Sequence, residues 1–127
     1  MRRYFQGCAV SKYISITSLF TIFEEIFDRN YYFEGESHDF WEFVCVLDGT
    51  LGVTAGEDIL ILEKGQSVLH RPMEFHRLWS EGRTEPHIFV ISFAADAMPQ
   101  VKDKQFQLTE ENHKTISILR DTAAMVF

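Results

Sequence analysis

Short apolar runs separated by turn residues dominate the middle of this sequence. From residue 40 onward, turn residues recur at short intervals, as Asp48-Gly49, Gly56 to Asp58, Lys64-Gly65, Arg71-Pro72 and 80–86. The runs between them are alternating or continuously apolar, and they occupy residues 40–47, 51–55, 59–62, 67–70, 75–79 and 87–93. Because no helical period lies between these runs, the pattern predicts an antiparallel β-sandwich or barrel.

The segment that precedes this region fits two patterns. In residues 19–27, Phe20, Phe23 and Phe27 lie on a helical stripe, whereas Thr21 and Phe23 also belong to a strand alternation. The β-branched and aromatic content of the segment favours the strand. We therefore predict a further strand here, before the regular part of the barrel.

A helix is predicted towards the end of the chain. After a connector of small residues at 94–103, Thr109 has the side chain of an N-cap, and Glu110 and Glu111 complement the positive end of a helix dipole. An apolar stripe follows at Ile116, Leu119, Ala123 and Val126. This stripe fits equally a helix packed on the barrel and a seam between two subunits. Because the stripe is still running where the sequence stops, we expect the chain to be a fragment of a longer product.

The composition and net charge of the chain limit the kinds of molecule that it is expected to bind. A chain of 127 residues with 46% hydrophobic residues is expected to form one globular domain. Its formal net charge of −7 argues against direct binding to nucleic acid, which depends on Lys and Arg. Cys8 and Cys45 form no CxxC pair, which favours a reducing, cytoplasmic location. No apolar run approaches the roughly 20 residues of a membrane span, so no membrane partner is expected.

The stretch "ESHDFWEFVCVLDG", residues 36–49, carries the candidate chemistry. If it is one strand, alternation places Glu36, His38 and Glu42 on the same face as Val44 and Val46. If that face lines a barrel lumen, His38 and Glu42 reach a concave pocket of the kind that binds small molecules. The alternative is structural: a buried His38 and Glu42 would hydrogen-bond each other or the backbone.

Large aromatic residues lie near the candidate polar groups. Trp41, Phe75 and Trp79 are typical of barrel wall and core, and those that face a lumen would stack on a planar or sugar-like ligand. The sequence has no nucleophile elbow, no Gly-rich phosphate loop and no recognisable Ser, His and Asp arrangement. The pattern therefore indicates binding rather than catalysis.

Three stretches in combination resemble a known family: "HDFWEFVCVLDGTLGV", "ILEKGQSVLHRPMEFHRL" and "IFVISFAAD". The spacing from His38 to Glu42 and Gly49 resembles the first cupin motif, although Glu36 stands where that motif has a histidine. The second cupin motif is echoed, without its middle glycine and its asparagine, by Gly65, Pro72 and His76. Over residues 13–127 the sequence is similar to the N-terminal sensor domain of AraC-type transcriptional regulators.

The resemblance implies a mainly β fold, a cupin-type (jelly-roll) antiparallel β-barrel followed by a C-terminal helical segment. It also implies a small-molecule effector, such as a sugar, in the lumen, and a homodimer formed through the helix. DNA would be bound by a C-terminal helix-turn-helix unit that these residues do not include. The corresponding organisation is an N-terminal arm at 1–12, a sensor barrel at 13–96, and a connector with a dimerisation helix at 97–127.

The same resemblance defines a ligand set. We predict that Trp41, Phe75 and Trp79 contribute to effector binding together with the polar groups Glu36, His38, Glu42 and His76. His38, Glu42 and His76 also suit a divalent metal such as Zn, Ni, Fe or Mn. We favour a non-enzymatic sensor in which these groups orient a polar effector. The alternatives are a stand-alone metal-dependent cupin enzyme, such as an isomerase or a dioxygenase, and a cupin that serves only as an interaction module.

Overall fold

The structure of the protein is a computed structural model, and it describes residues 15–98 and 103–126. Nine strands precede one helix in the described residues: β1 Ser15–Ile26, β2 Tyr32–Glu36, β3 Trp41–Asp48, β4 Leu51–Ala55, β5 Asp58–Leu62, β6 Gln66–His70, β7 His76–Ser80, β8 His87–Ala97, β9 Gln105–Gln107 and α1 Glu110–Val126. The six predicted runs correspond to β3 through β8, and the segment predicted at 19–27 is a strand, β1. No helix in the described part of the chain is long and apolar enough to cross a membrane.

The strands form two antiparallel sheets. One has the order β1-β8-β3-β6-β9 and the other the order β2-β7-β4-β5. Sequential strands such as β3 and β4 belong to different sheets, whereas β4 and β5 form a hairpin across Gly56, which has a positive φ. The antiparallel β-sandwich or barrel predicted from the turn residues is therefore confirmed, and so is the mainly β, jelly-roll type of fold that the resemblance implies.

The core lies between the two sheets and consists mostly of β-branched and aliphatic side chains. Val44 and Val46 of β3 belong to it, together with Val53 of β4 and Ile88 of β8. Their neighbours on β3, including Cys45, point to the opposite face, as the alternation predicted. Burial raises the pKa of the Cys45 thiol to about 12, so this cysteine behaves as a small apolar residue.

The helix covers the outer face of the five-stranded sheet. Thr109 caps it, since the Thr109 Oγ1 accepts a hydrogen bond from the Asn112 amide at 3.1 Å and the Asn112 Oδ1 accepts one from the Thr109 amide at 3.0 Å. Ile116 and Leu119 pack with Cys45 and Phe89. Of the two interpretations of the apolar stripe, packing on the barrel is thus observed for these two positions.

Two expectations differ from the structure in the connector region. The predicted connector at 94–103 begins later, because β8 continues to Ala97 and pairs with β1 along its whole length. Backbone pairing does not depend on side-chain size, so small residues remain in the strand when a partner strand is present. A short strand that the pattern did not predict, Gln105–Gln107, then pairs with β6. The predicted arm at 1–12 lies outside the described residues.

Candidate functional site

A row of polar side chains crosses the inner face of the five-stranded sheet. Glu42 on β3 pairs with Ser92 of β8 on one side and with His70 of β6 on the other, and Ser92 pairs in turn with Thr21 of β1. Directly paired residues of antiparallel strands point to the same face, so these four side chains lie side by side. The Thr21 and Ser92 hydroxyls are hydrogen-bonded to each other. Polar groups thus replace the aliphatic core at this level of the barrel.

The opposite sheet supplies the remaining polar groups at this level. Glu36 is the last residue of β2 and pairs with His76, the first residue of β7. His38 lies in the segment between β2 and β3. The prediction that Glu36, His38 and Glu42 share one strand was therefore wrong, because the chain leaves one sheet after Glu36 and enters the other at Trp41. The predicted convergence of His38, Glu42 and His76 is nevertheless observed.

We call Glu36, His38, Glu42 and His76 the polar quartet. One candidate ligand atom from each residue lies within 4.8 Å of the others. The Glu42 carboxylate lies 3.5 Å from the His38 Nε2 and 3.4 Å from the His76 Nε2. Glu36 Oε2 lies 3.6 Å and 3.7 Å from the same two nitrogens. These separations exceed those of good hydrogen bonds, so the four groups surround a common point without bonding to one another.

The two imidazoles are oriented by the backbone. The Nδ1 of His38 lies 3.3 Å from the Phe40 carbonyl, and the Nδ1 of His76 lies 3.2 Å from the Glu74 carbonyl. A carbonyl accepts, so each Nδ1 carries the proton and each Nε2 presents a lone pair to the centre of the quartet. Both Nε2 atoms are buried and have no hydrogen-bond partner among the described residues. Orphaned lone pairs beside two carboxylates are a donor set that fits a divalent cation.

Burial governs the electrostatics of this cluster. It raises the pKa of Glu42, and the neighbouring imidazoles His76 and His38 oppose that shift only partly. Burial also lowers the pKa of His70 to about 3, with further contributions from His76 and His38. His70 is therefore neutral at physiological pH.

His70 adjoins the quartet and was not among the site residues predicted from the sequence. It is 0% exposed, its ring stacks on that of His76 with centroids 4.3 Å apart, and neither ring nitrogen has a hydrogen-bond partner among the described residues. Its nearest carboxylate oxygen is that of Glu74, 3.8 Å from Nδ1. Strand parity could have identified it, because His70 follows the inward-facing Val68 by two positions.

A cavity of about 310 Å³ adjoins the quartet. It lies beside β1 and β2, which are the edge strands of their sheets. Its lining combines the polar level with apolar and aromatic side chains: Thr21, Phe23, Glu25, Phe27, Tyr31, Phe33, Glu36, Phe40, Glu42, His76, Leu78, Ile88, Val90 and Ser92. Its volume is at the lower end of the range for small-molecule sites.

The structure does not bring the predicted aromatic residues to this cavity. Trp41, Phe75 and Trp79 are absent from its lining. The indole of Trp79 covers Gly52, where an added Cβ would lie 2.0 Å from the ring, and Phe75 lies against Gly35 in the same manner at 2.4 Å. The aromatic lining comes instead from β1, β2 and their flanking segments, which the sequence analysis did not connect with a site.

Comparison with known proteins supports the same fold. None of the curated proteins matches the sequence. The structure is similar to the Cnp3 cupin domain of Schizosaccharomyces pombe, with TM-score 0.54, 14% identity, and coverage of 65% of this chain and 61% of that chain. It is also similar to a cupin domain of an XRE family transcriptional regulator from Enterobacter cloacae, with TM-score 0.51, 16% identity, and coverage of 62% and 81%.

An enzyme is among the structural neighbours as well. A single-residue variant of oxalate decarboxylase from Bacillus subtilis matches with TM-score 0.50 and 15% identity, over 76% of this chain and 28% of that chain. The chain therefore spans less than two thirds of the length of that enzyme and of the yeast protein. At sequence identities this low, the structural similarity shows only that the chain has a cupin fold.

A family model provides the sequence-level assignment. The model described as the AraC-like ligand-binding domain matches residues 20–124, which includes every described strand from β2 to β9 and most of β1 and α1. The match contains both halves of the polar quartet and all the residues that line the cavity. The chain therefore belongs to the AraC-like ligand-binding domain family.

Proposed function

We propose that this chain is the effector-sensing domain of an AraC-type transcriptional regulator and that a small molecule binds in the cavity beside the polar quartet. The observation that carries the proposal is a cavity in which apolar walls end in a set of convergent polar groups. Such a combination binds an apolar body and fixes its orientation through a few polar contacts. Effector binding then favours one arrangement of the barrel, and that bias is passed to a DNA-binding unit outside these residues.

A blocked cavity tests this proposal. Thr21 lines the cavity, whereas Thr17 lies on the same strand outside the lining. Thr21→Phe should abolish the thermal stabilisation that a metabolite library produces, because the new ring occupies the cavity. Thr17→Phe is the matched control and should leave every hit unchanged. Equal effects of the two variants would show that the hits bind elsewhere, and the proposal would fail.

A divalent metal at the polar quartet is the second element of the proposal. His38, His76, Glu42 and Glu36 would hold it through the two free Nε2 atoms and the two carboxylates. When bound, Zn, Ni, Fe or Mn would supply a Lewis acid to an oxygen or nitrogen of the effector. The residues themselves orient that polar group and keep the site partly dehydrated, since the side chains of His38 and Glu42 are only 16% and 15% exposed.

Elemental analysis of protein purified without chelator tests the metal. We expect close to one equivalent in the wild type and a loss in His76→Ala. His113→Ala is the matched control, because His113 is an exposed histidine on α1 outside the quartet. Metal retained in His76→Ala, or lost equally in both variants, would contradict a site at the quartet.

The alternative function is a stand-alone metal-dependent cupin enzyme, such as an isomerase or a dioxygenase. The same quartet favours it, because two imidazoles and two carboxylates also occur as donors at catalytic metals. The two functions differ in their output. A regulator requires a DNA-binding partner domain, so a coding sequence that continues past residue 127 into two helix-turn-helix modules would support the sensor, whereas turnover of a substrate by the purified chain would support the enzyme.

We further propose that the domain forms a homodimer in the cytoplasm, where a regulator reaches DNA. The outer surface of α1 supports this, since Ile118 and Met125 are 66% and 87% exposed while Ile116 faces the barrel. Sedimentation at high protein concentration should show a dimer that Ile118→Asp weakens. A monomer at all concentrations would remove this part of the proposal.

A further inference from the structure

The cavity has a second polar end, away from the quartet. Glu25 lies on β1 four positions after Thr21, and it pairs with Ile88, whereas Thr21 pairs with Ser92 at the level of the quartet. Four strand positions correspond to about 13 Å. The cavity therefore extends from the quartet at one end to a separate carboxylate at the other.

Aromatic rings surround the space near Glu25. The rings of Phe27 and Tyr31 stack with centroids 3.9 Å apart and planes 5° apart, and Phe23 and Phe33 line the cavity from the two edge strands. The faces of such rings carry partial negative charge and attract cations. Phe23 is 41% exposed, so this end of the cavity is accessible from solvent.

The described lining of the cavity has three carboxylates and a single basic group, the imidazole of His76. Its carboxylates are those of Glu25, Glu36 and Glu42, and among the described residues that line it there is no Lys or Arg. Glu25, Glu36 and Tyr31 line the same cavity, and the pKa of Tyr31 is raised first by burial and then by the negative charges of these two carboxylates. An anionic ligand would be repelled here, whereas a cation would meet both carboxylates and ring faces.

We propose that the cavity selects an effector that carries a positively charged nitrogen on an apolar or aromatic body, with the nitrogen near Glu25 and the body between Phe23 and Phe33. This inference rests on the proposed function, because it takes the cavity as the effector site. Its charged contact is with Glu25, which lies outside the quartet and keeps its charge when a metal is bound there. It replaces the sugar expected from the resemblance with an amine or ammonium compound.

A set of three probes of nearly equal size separates charge from shape. Phenethylamine, 2-phenylethanol and 3-phenylpropionate share a ring and a short chain but differ in charge. Binding is measured by ligand-observed NMR at pH 7, at low salt and with chelator present. We expect the amine to bind about tenfold more tightly than the anion, with the alcohol between them, and the preference to shrink as salt rises.

Two variants that each remove one negative charge test whether the preference for the amine comes from Glu25. Glu25→Gln should lower the preference for the amine at least about threefold, because it removes the carboxylate at this end. Glu34→Gln is the matched control, since Glu34 is an exposed residue of β2 outside the cavity lining, and it should leave the preference unchanged. A uniform loss in both variants would attribute the preference to net charge and overturn the proposal.

The remaining outcomes are also decisive. If the three probes bind equally and Thr21→Phe blocks their binding, the cavity is still a ligand site. That result would contradict only the proposed selection by charge. Tighter binding of the anion would overturn the selection as well. Absence of binding by every probe would count against the cavity as an effector site and would remove both proposals.

Discussion

Two clusters of glutamate and histidine, one on the outer surface and one inside the barrel, use the same chemistry in opposite ways. On the outer surface, the Glu24 Oε2 lies 2.6 Å from the His87 Nε2, and Arg120 donates to both Glu24 oxygens at 2.9 and 2.8 Å. Inside, the closest carboxylate to imidazole distance is 3.4 Å, between Glu42 and His76. The outer cluster is hydrogen-bonded and partly exposed. The inner cluster ranges from a buried His76 to a half-exposed Glu36, and its groups are not hydrogen-bonded to one another.

This difference separates a structural ion pair from a candidate site. The outer cluster ties α1 to β1, and the bidentate contact of Arg120 lowers the pKa of Glu24. The inner cluster leaves the Nε2 atoms of His38 and His76 and both nitrogens of His70 without partners in the described chain. Unsatisfied buried polar groups reduce stability, and this supports the binding role proposed for the inner cluster.

The largest expected effect is stabilisation by metal. Addition of Zn²⁺ or Ni²⁺ at about one hundred times the dissociation constant should raise the free energy of unfolding by about 2.7 kcal/mol. His76→Ala should abolish this gain, because it removes one of the two free Nε2 atoms. Glu24→Gln in the outer cluster should retain it. Urea unfolding with and without metal measures the difference, and an equal gain in His76→Ala would contradict the assignment of the inner cluster.

Replacement of the stacked histidine should stabilise the protein. In the presence of chelator, His70→Leu should raise the free energy of unfolding by about 1 to 2 kcal/mol, because an apolar side chain of similar size replaces a buried imidazole with no hydrogen bonds. His87→Leu in the outer cluster should lower it, since it removes the contact with Glu24. Chemical denaturation of both variants checks the comparison, and a destabilised His70→Leu would show that His70 has a partner in solution.

The two glutamates should respond to pH with opposite signs. Glu42 has a pKa raised above its usual value of 4.5, so its contribution to stability is present below that pH and is lost as the pH rises through the folded pKa. Glu24 has a pKa lowered from 4.5, so its contribution is present above that pH and is lost as the pH falls through the folded pKa. At pH 7 without metal, Glu42→Gln should stabilise the protein and Glu24→Gln should destabilise it.

Unfolding curves between pH 3 and pH 8 test this pair. The free energy of unfolding of Glu42→Gln should rise above that of the wild type as the pH rises. The free energy of unfolding of Glu24→Gln should fall below that of the wild type over the same range. Parallel changes of the same sign in the two variants would mean that the inner glutamate is as well solvated as the outer one.

The smallest effect is expected at the helix. Arg120→Ala should lower the free energy of unfolding by about 0.5 to 1 kcal/mol, since the pair with Glu24 is partly exposed and screened by solvent. Hydrogen exchange of α1 should accelerate while exchange in β3 is unchanged. Protection of the helix that is unaffected by Arg120→Ala would show that the apolar contacts of Ile116 and Leu119 hold it without the ion pair.

The strands and the helix could be predicted because their signals are local. Turn residues such as Asp48-Gly49 separate the apolar runs, and the alternation of faces predicted for one of these runs is observed in β3. Thr109 caps the helix, as predicted. The connector at 94–103 was misjudged because a strand of small residues depends on its partner, β1, which is distant in sequence. The pairing of strands that are distant in the sequence cannot be predicted from the local pattern of residues.

The candidate site was predictable only in part. His38, Glu42 and His76 were found from their spacing, and the structure brings them together. Glu36 reaches them from the other sheet, and His70 and the aromatic lining of the cavity were not predicted as site residues. The sequence pattern does not distinguish aromatic residues that line the cavity from Trp41, Phe75 and Trp79, which lie outside the lining.

The amino-acid sequence by itself determined the alternation of faces, the turns, the helix cap and the family, because each depends on neighbouring residues and their side-chain chemistry. Only the tertiary structure decided which polar groups remain without partners. That property depends on distances between elements far apart in the sequence, such as those that separate His76 from Glu42 and Glu24 from Arg120. A few tenths of an ångström to about 1 Å in such distances separate a satisfied ion pair from an open site.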